Sequence, residues 1–162
     1  MDAIELLKKD HDKVKKLFQQ IMEGATPTKS KTLFNQIYHE MTIHSIIEEQ
    51  VFYPALNKFN GFTGLLKDAY KEHADAKLEM GQISMMDSSS EEWKKKVEKL
   101  FGEIQHHIKD EEEKLFPKVE EAMAQKELND LGLALKQAKT SNLSDSLLSQ
   151  PLPESLTQQP AQ

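Results

Sequence analysis

The chain of 162 residues contains no cysteine. Disulfides, thiolate metal sites and thiol nucleophiles are therefore excluded from its chemistry. Glycine and proline are sparse, six of each, and several fall in the last twenty residues or between periodic segments, as in a mostly helical protein. Positive charge is in deficit: the formal net charge is −6 and the pI is near 5.5. A phosphate backbone requires a surplus of Lys and Arg on one face, so nucleic acid is not an expected partner. No apolar run approaches the length of a membrane span. The N-terminal stretch MDAIELLKKDHDKV breaks its apolar positions with charges, unlike a signal-peptide core. These absences describe a soluble protein, expected in the cytoplasm and away from membranes.

What is present suffices for one modest core, with 38% of the chain apolar and 7% of the chain aromatic, and a length typical of one domain. The apolar residues form four stripes at alternating steps of three and four, the period of an amphipathic helix. The first runs Ile4, Leu7, His11, Val14, Phe18, Ile21, and the second Phe34, Ile37, Met41, His44, Glu48, Val51, Ala55. The third is Phe62, Leu66, Ala69, His73, Ala76, Met80, Ile83, and the fourth Trp93, Val97, Leu100, Ile104, His107, Glu111, Leu115, Val119. Gly24 with Thr26-Pro27, Asn60-Gly61 and Asp87–Ser90 separate them, and SSSEE at 88–92 offers Ser-x-x-Glu twice as a helix start. The expected fold is all-α, an up-down-up-down four-helix bundle over residues 1–125. Pro54 and Pro117 predict kinks or ends. Leu128, Leu131 and Leu135 predict a short C-terminal helix within 126–139, and the Ser-, Pro- and Gln-rich residues 140–162 read as a disordered tail.

The two halves repeat. His44, Glu48 and Pro54 recur as His107, Glu111 and Pro117 at a constant offset (107 − 44 = 63), and His11 recurs as His73. An approximate two-fold axis would bring His11, His44 and Glu48 from one half against His73, His107 and Glu111 from the other. Residues four apart on a helix share a face, so each His-x-x-x-Glu unit presents a nitrogen and a carboxylate to one place. A lone histidine on an apolar face is usually a satisfied core residue. Two carboxylates in the same stripes need positive partners, because burying an unpaired one costs on the order of several kcal/mol, and no Lys or Arg of the stripes lies near them. A bound metal supplies that charge and uses neutral imidazoles as ligands. Mixed imidazole and carboxylate donors suit Fe, Zn, Mn or Cu, and six donors exceed one tetrahedral zinc, which indicates two ions.

The other candidates are weaker. His106 lies on the polar side of the fourth helix, and His39 stands about 140° around its helix from His44. Met41, Met80, Met85 and Met86 suit packing better than these harder ions. In the run DEEEK, only Glu111 is expected to turn inward. Ferritin-like bundles use Glu-x-x-His, with the order and spacing reversed. The histidines of HEMTIH, at 39 and 44, are five apart and do not share a face as in zinc proteases.

The pattern His11, His44-x-x-x-Glu48, His73, His107-x-x-x-Glu111, with the continuations EEQVFYP and EEEKLFP, resembles hemerythrin-like proteins of the HHE cation-binding type over about residues 1–125. The resemblance implies two non-haem iron ions in an oxo- or hydroxo-bridged di-iron centre held by those six residues. It also implies a small diatomic ligand or peroxide as the reacting partner, in oxygen or iron sensing or stress protection. The alternatives it carries are a di-iron enzyme that reduces peroxide or repairs iron–sulfur centres, and reversible oxygen storage. Oxygen-carrying members have a further histidine one turn after the third-helix one, where this chain has Lys77. Neither ion should then receive a third imidazole, and water is expected to complete both coordination spheres.

Overall fold

The structure is a computed structural model that describes the backbone of residues 1–148 and the side chains of residues 1–144. Helix α1, Ala3–Met22, starts at Asp2, whose carboxylate accepts from the Glu5 N–H while Glu5 reaches back to the Asp2 N–H, each at 2.9 Å. Helix α2, Pro27–Ile47, has Thr26 as its cap and proline in its first turn, where the missing N–H costs nothing. A π-helical turn, Glu48–Phe52, joins it to α3, Tyr53–Leu56. Helix α4 spans Thr63–Ser84 and α5 spans Glu91–Asp110. A second π turn, Glu111–Leu115, leads into α6, Phe116–Ala122, and α7, Gln125–Leu148, closes the described chain. Ser90 caps α5 through the Trp93 N–H at 3.1 Å, so neither Ser-x-x-Glu pair of SSSEE is used as a capping box.

Helix α1 packs on α2, α4 on α5, α2 on α4 and α1 on α5, which is the expected up-down-up-down bundle. Among the described residues there is no strand, and no helix is long and apolar enough to cross a membrane. The core is divided. One apolar cluster includes Leu7, Phe52, Tyr53, Leu56, Phe116 and Val119, and the other Val14, Phe18, Phe34, Ile37, Trp93 and Leu100. Between these clusters lies a polar layer, in which His11 follows Leu7 and precedes Val14 along the same buried stripe.

Each proline follows a π turn, and the helix carrying Pro54 ends two residues later at Leu56. Proline lacks an N–H and its ring collides with the carbonyl four residues back, so the preceding turn must widen. Tyr53 N–H bonds Glu48 O and Phe116 N–H bonds Glu111 O, both five residues back. The extra residue shifts the phase of everything beyond it. Val51 and Ala55, expected in the core, are only partly buried, while Phe52, Tyr53 and Leu56 are fully buried.

Helix α7 lies against α1 and α2. Leu128 and Leu135 join the cluster of Ile43 and Ile47, which explains why α2 is apolar on two faces. At Gly132 a Cβ would stand 2.7 Å from Met1 O and 2.8 Å from Asp2 C, so only glycine permits this approach. The helix continues nine residues past the expected end at 139, to Leu148 (148 − 139 = 9). Its polar residues do not break it because Thr140 and Ser144 hydroxyls donate to carbonyls one turn back, and Asn142 donates to Ala138 O at 2.8 Å. The expectation of a disordered tail for 149–162 falls outside the described residues.

Candidate metal centre

All six residues of the two repeat units converge in the polar layer, and each is buried, from Glu48 at 0% exposed to His73 at 6%. Helices α1 and α2 bring His11 and His44 together with ring centroids 4.9 Å apart at 65°, and α4 and α5 place His73 and His107 at the same distance and angle. Glu48 Oε1 lies 2.7 Å from His44 Nε2 and 3.4 Å from His73 Nε2. Glu111 Oε1 lies 2.6 Å from His107 Nε2 and 3.6 Å from His11 Nε2. Each carboxylate therefore stands between one histidine of its own helix and one of the opposite half.

Donors around a first-row cation with bonds of about 2.0–2.2 Å sit roughly 3 to 3.5 Å from one another; the contacts between halves, 3.4 and 3.6 Å, are close to that range, and those within each His-x-x-x-Glu unit, 2.7 and 2.6 Å, are shorter. His11 Nε2, His44 Nε2, both Glu48 oxygens and Glu111 Oε1 are buried without a hydrogen-bond partner. The short His44–Glu48 approach lacks hydrogen-bond alignment. Five orphaned polar atoms in one interior would be a heavy penalty for a metal-free core. The donors group as Glu48, His73, His107, Glu111 and as His11, His44, Glu111, with Glu111 common to both. Nitrogen and oxygen donors of this kind fit a first-row cation.

Each imidazole is held from behind by a carboxylate at Nδ1: Glu112 for His11 at 2.9 Å, Asp10 for His44 at 3.1 Å, Glu49 for His73 at 3.4 Å and Glu72 for His107 at 3.3 Å. These contacts leave Nε2 of each ring for the centre and fix its orientation. They also correct the reading of DEEEK, since Glu112 as well as Glu111 turns toward the site. Burial alone would lower the His44 pKa, but Glu48, Asp10 and Glu111 outweigh it and push it up to about 10. Burial is likewise overcome at His107 by Glu111 and Glu72, which raise it to about 11. Desolvation alone would raise the Glu48 pKa, yet the charge of His44 holds its carboxyl well below the usual range.

Tyr53 is a residue that the helical period did not identify. Its hydroxyl donates to Glu111 Oε2 at 3.2 Å and lies 3.3 Å from His73 Nε2, within reach of the donor set. Burial and the charges of Glu48 and Glu111 raise its pKa well above the ordinary value. The repeat contained the signal: Tyr53 corresponds to Phe116 at the 63-residue offset (116 − 53 = 63), and Phe116 stacks on His11 as Tyr53 stacks on His73. The half containing His73 thus has a phenol where only water was expected. Lys77 is exposed and lines a groove beside Glu49 and His73. A separate cleft of about 440 Å³ between α2, α4 and α5, lined by Met41, Ala76, Ile104 and Glu72, opens on His73 and His107. His106 is 67% exposed and pairs with Asp110, away from the six.

A family model described as the hemerythrin HHE cation binding domain matches residues 2–119. A DNA nickase from a Nostoc species is 29% identical over 140 residues, covering 86% of this chain and 40% of that protein. An uncharacterised hemerythrin-like protein from Schizosaccharomyces pombe is 26% identical over 121 residues, covering 74% of this chain and 60% of its own. The chain therefore spans 40% and 60% of the lengths of these two curated relatives. The crystal structure of a hemerythrin HHE cation binding domain-containing protein from Mycobacterium kansasii superposes with a TM-score of 0.75 at 25% identity, over 89% of this chain and 91% of that one.

Proposed function

Because the chain belongs to the hemerythrin HHE cation-binding family, we propose that its six buried donors hold two non-haem iron ions and that this centre reacts with dioxygen, nitric oxide or peroxide, in sensing or stress protection. The observation that carries the reading is the set of five buried, unpartnered nitrogen and oxygen atoms facing one interior point. His11 and His44 serve one ion, His73 and His107 the other, and Glu48 and Glu111 lie between the pairs. Bound iron supplies one-electron chemistry and exchangeable positions. The protein supplies orientation through the four outer carboxylates, and dryness through Phe52, Phe116 and Leu115. Tyr53 keeps a proton at Oη beside Glu111. The cleft at His73 and His107 gives a small molecule access to that half.

Reduction of the small molecule is favoured over reversible carriage because Lys77 leaves the third-helix histidine pair of the carriers incomplete and points to solvent. Anaerobic reconstitution with ferrous iron should saturate at about two equivalents per chain, read by elemental analysis. Saturation at one would end the paired-site reading. On stopped-flow mixing with oxygen, the ferrous protein should convert to the ferric form without reversal. A spectral change that reverses fully when oxygen is withdrawn would establish carriage instead.

A further inference from the structure

His44 differs from the other three histidines in what stands behind it. Glu112, Glu49 and Glu72 hold their imidazoles from the surface, with side chains 27%, 38% and 30% exposed. Asp10, behind His44, is only 8% exposed, and its second oxygen accepts from the Lys139 ammonium of α7. Lys139 lies twenty residues beyond the last position matched by the family model (139 − 119 = 20). We propose that Lys139 is a positioning residue of the metal centre, acting through Asp10 to hold His44 in the tautomer that leaves Nε2 free for the ion. The inference rests on the metal reading above.

The chemistry of a buried carboxylate explains the dependence. Asp10 has two lone-pair-bearing oxygens, one used by His44 Nδ1 at 3.1 Å and the other by Lys139. Without the ammonium, a carboxylate this enclosed is left with one oxygen unpartnered and swings toward solvent. While Asp10 accepts the Nδ1 hydrogen, the ring's free lone pair stays at Nε2, the atom beside Glu48. A displaced Asp10 leaves the ring free to turn. That loss impairs the His11/His44 position and spares His73/His107, whose outer carboxylates Glu49 and Glu72 belong to the π turn after α2 and to α4 and pair with no residue of α7 among the described residues. Outer hydrogen-bonding partners of metal-ligating histidines are commonly worth about 10- to 100-fold in affinity.

The experiment is anaerobic cobalt(II) titration of the full chain, followed by absorption and calorimetry, for wild type, Lys139→Met, Lys139→Arg and Lys136→Met. Lys136 is the control, being an exposed lysine one turn earlier on the same helix. Lys139→Met should weaken one of two binding steps by about 10-fold or more and leave the other within about twofold. Lys139→Arg should restore most of the loss, and Lys136→Met should change neither step. Unchanged affinities in Lys139→Met, an equal loss in Lys136→Met, or a parallel fall of both steps with a lowered unfolding temperature would each overturn the inference. A wild type that binds no cobalt would overturn the metal reading, and this one with it.

Discussion

The two halves of the bundle are alike in their inner donors and unlike in what surrounds them. Both histidine pairs have the same ring separation and angle. Around His11 and His44 stand Phe116 and a buried Asp10–Lys139 pair; around His73 and His107 stand the Tyr53 hydroxyl and an open cleft. Under the proposed function, the duplicated donors would hold the ions, and the differences would decide which of them meets an incoming molecule. The half with the phenol and the cleft is suited to reaction, and the half clamped by α7 to retention.

Removing Glu48 should break both halves at once. Glu48→Gln leaves the buried His44 with Asp10 and the more distant Glu111 as its remaining counter-charges, so urea unfolding of the metal-free protein should register a loss smaller than the about 3 to 5 kcal/mol of a fully unpaired buried charge. Metal content should fall below one ion per chain. A variant that still binds two ions would mean that Glu48 lies outside the shared interior.

The pH dependence has opposite signs with and without metal. In the metal-free protein His44 and His107 are raised to about 10 and about 11. Their pairing stabilises the fold fully below the ordinary value near 6.5 and is lost as pH rises through 10 to 11. Glu48 acts in the other direction, its depressed pKa giving stability above the ordinary carboxylate range that is lost in acid. Metal needs both imidazoles neutral, so loading at pH 7 should release about two protons per chain, measurable in weakly buffered solution. Loading without proton release would show that the imidazoles are already neutral.

His107→Ala should abolish one ion position, while His106→Ala, one residue away on the exposed side, should leave metal content within about 10% of wild type. The reverse would place the α5 face about 100° from its observed orientation. Tyr53→Phe removes one of the differences between the halves, the phenol hydroxyl. It should alter the spectrum of the iron-loaded protein while changing unfolding free energy by about 1 kcal/mol, and an unchanged spectrum would exclude the phenol from the centre's surroundings.

The four helices and the six inner residues were legible because a helix repeats about every 3.6 residues and burial follows that period. Tyr53 was not, since five α-helical steps from Glu48 place it about 140° away. The π turn forced by Pro54 returns it to the interior. The same phase shift removed Val51 and Ala55 from the core and brought in Phe52 and Leu56. The Lys139–Asp10 contact joins residues 129 apart, a pairing that no local pattern announces. Helix α7 was cut short at 139 because composition stood in for a breaker, although the first proline after it is Pro151. Of the outer carboxylates, Glu112 in DEEEK reads as outward-facing because it is indeed partly in solvent while one oxygen faces the His11 imidazole.

The π turns have a consequence in time as well as in space. A turn whose hydrogen bonds span five residues is the place where a long helix opens most readily, and each of these turns begins at a glutamate of the centre. Local opening of either rod must therefore withdraw Glu48 or Glu111 from the interior. Ligand loss and backbone breathing become one event, so amide exchange at 48–53 and 111–116 should be slowed together when cations bind, in two windows far apart in sequence and facing each other across the bundle.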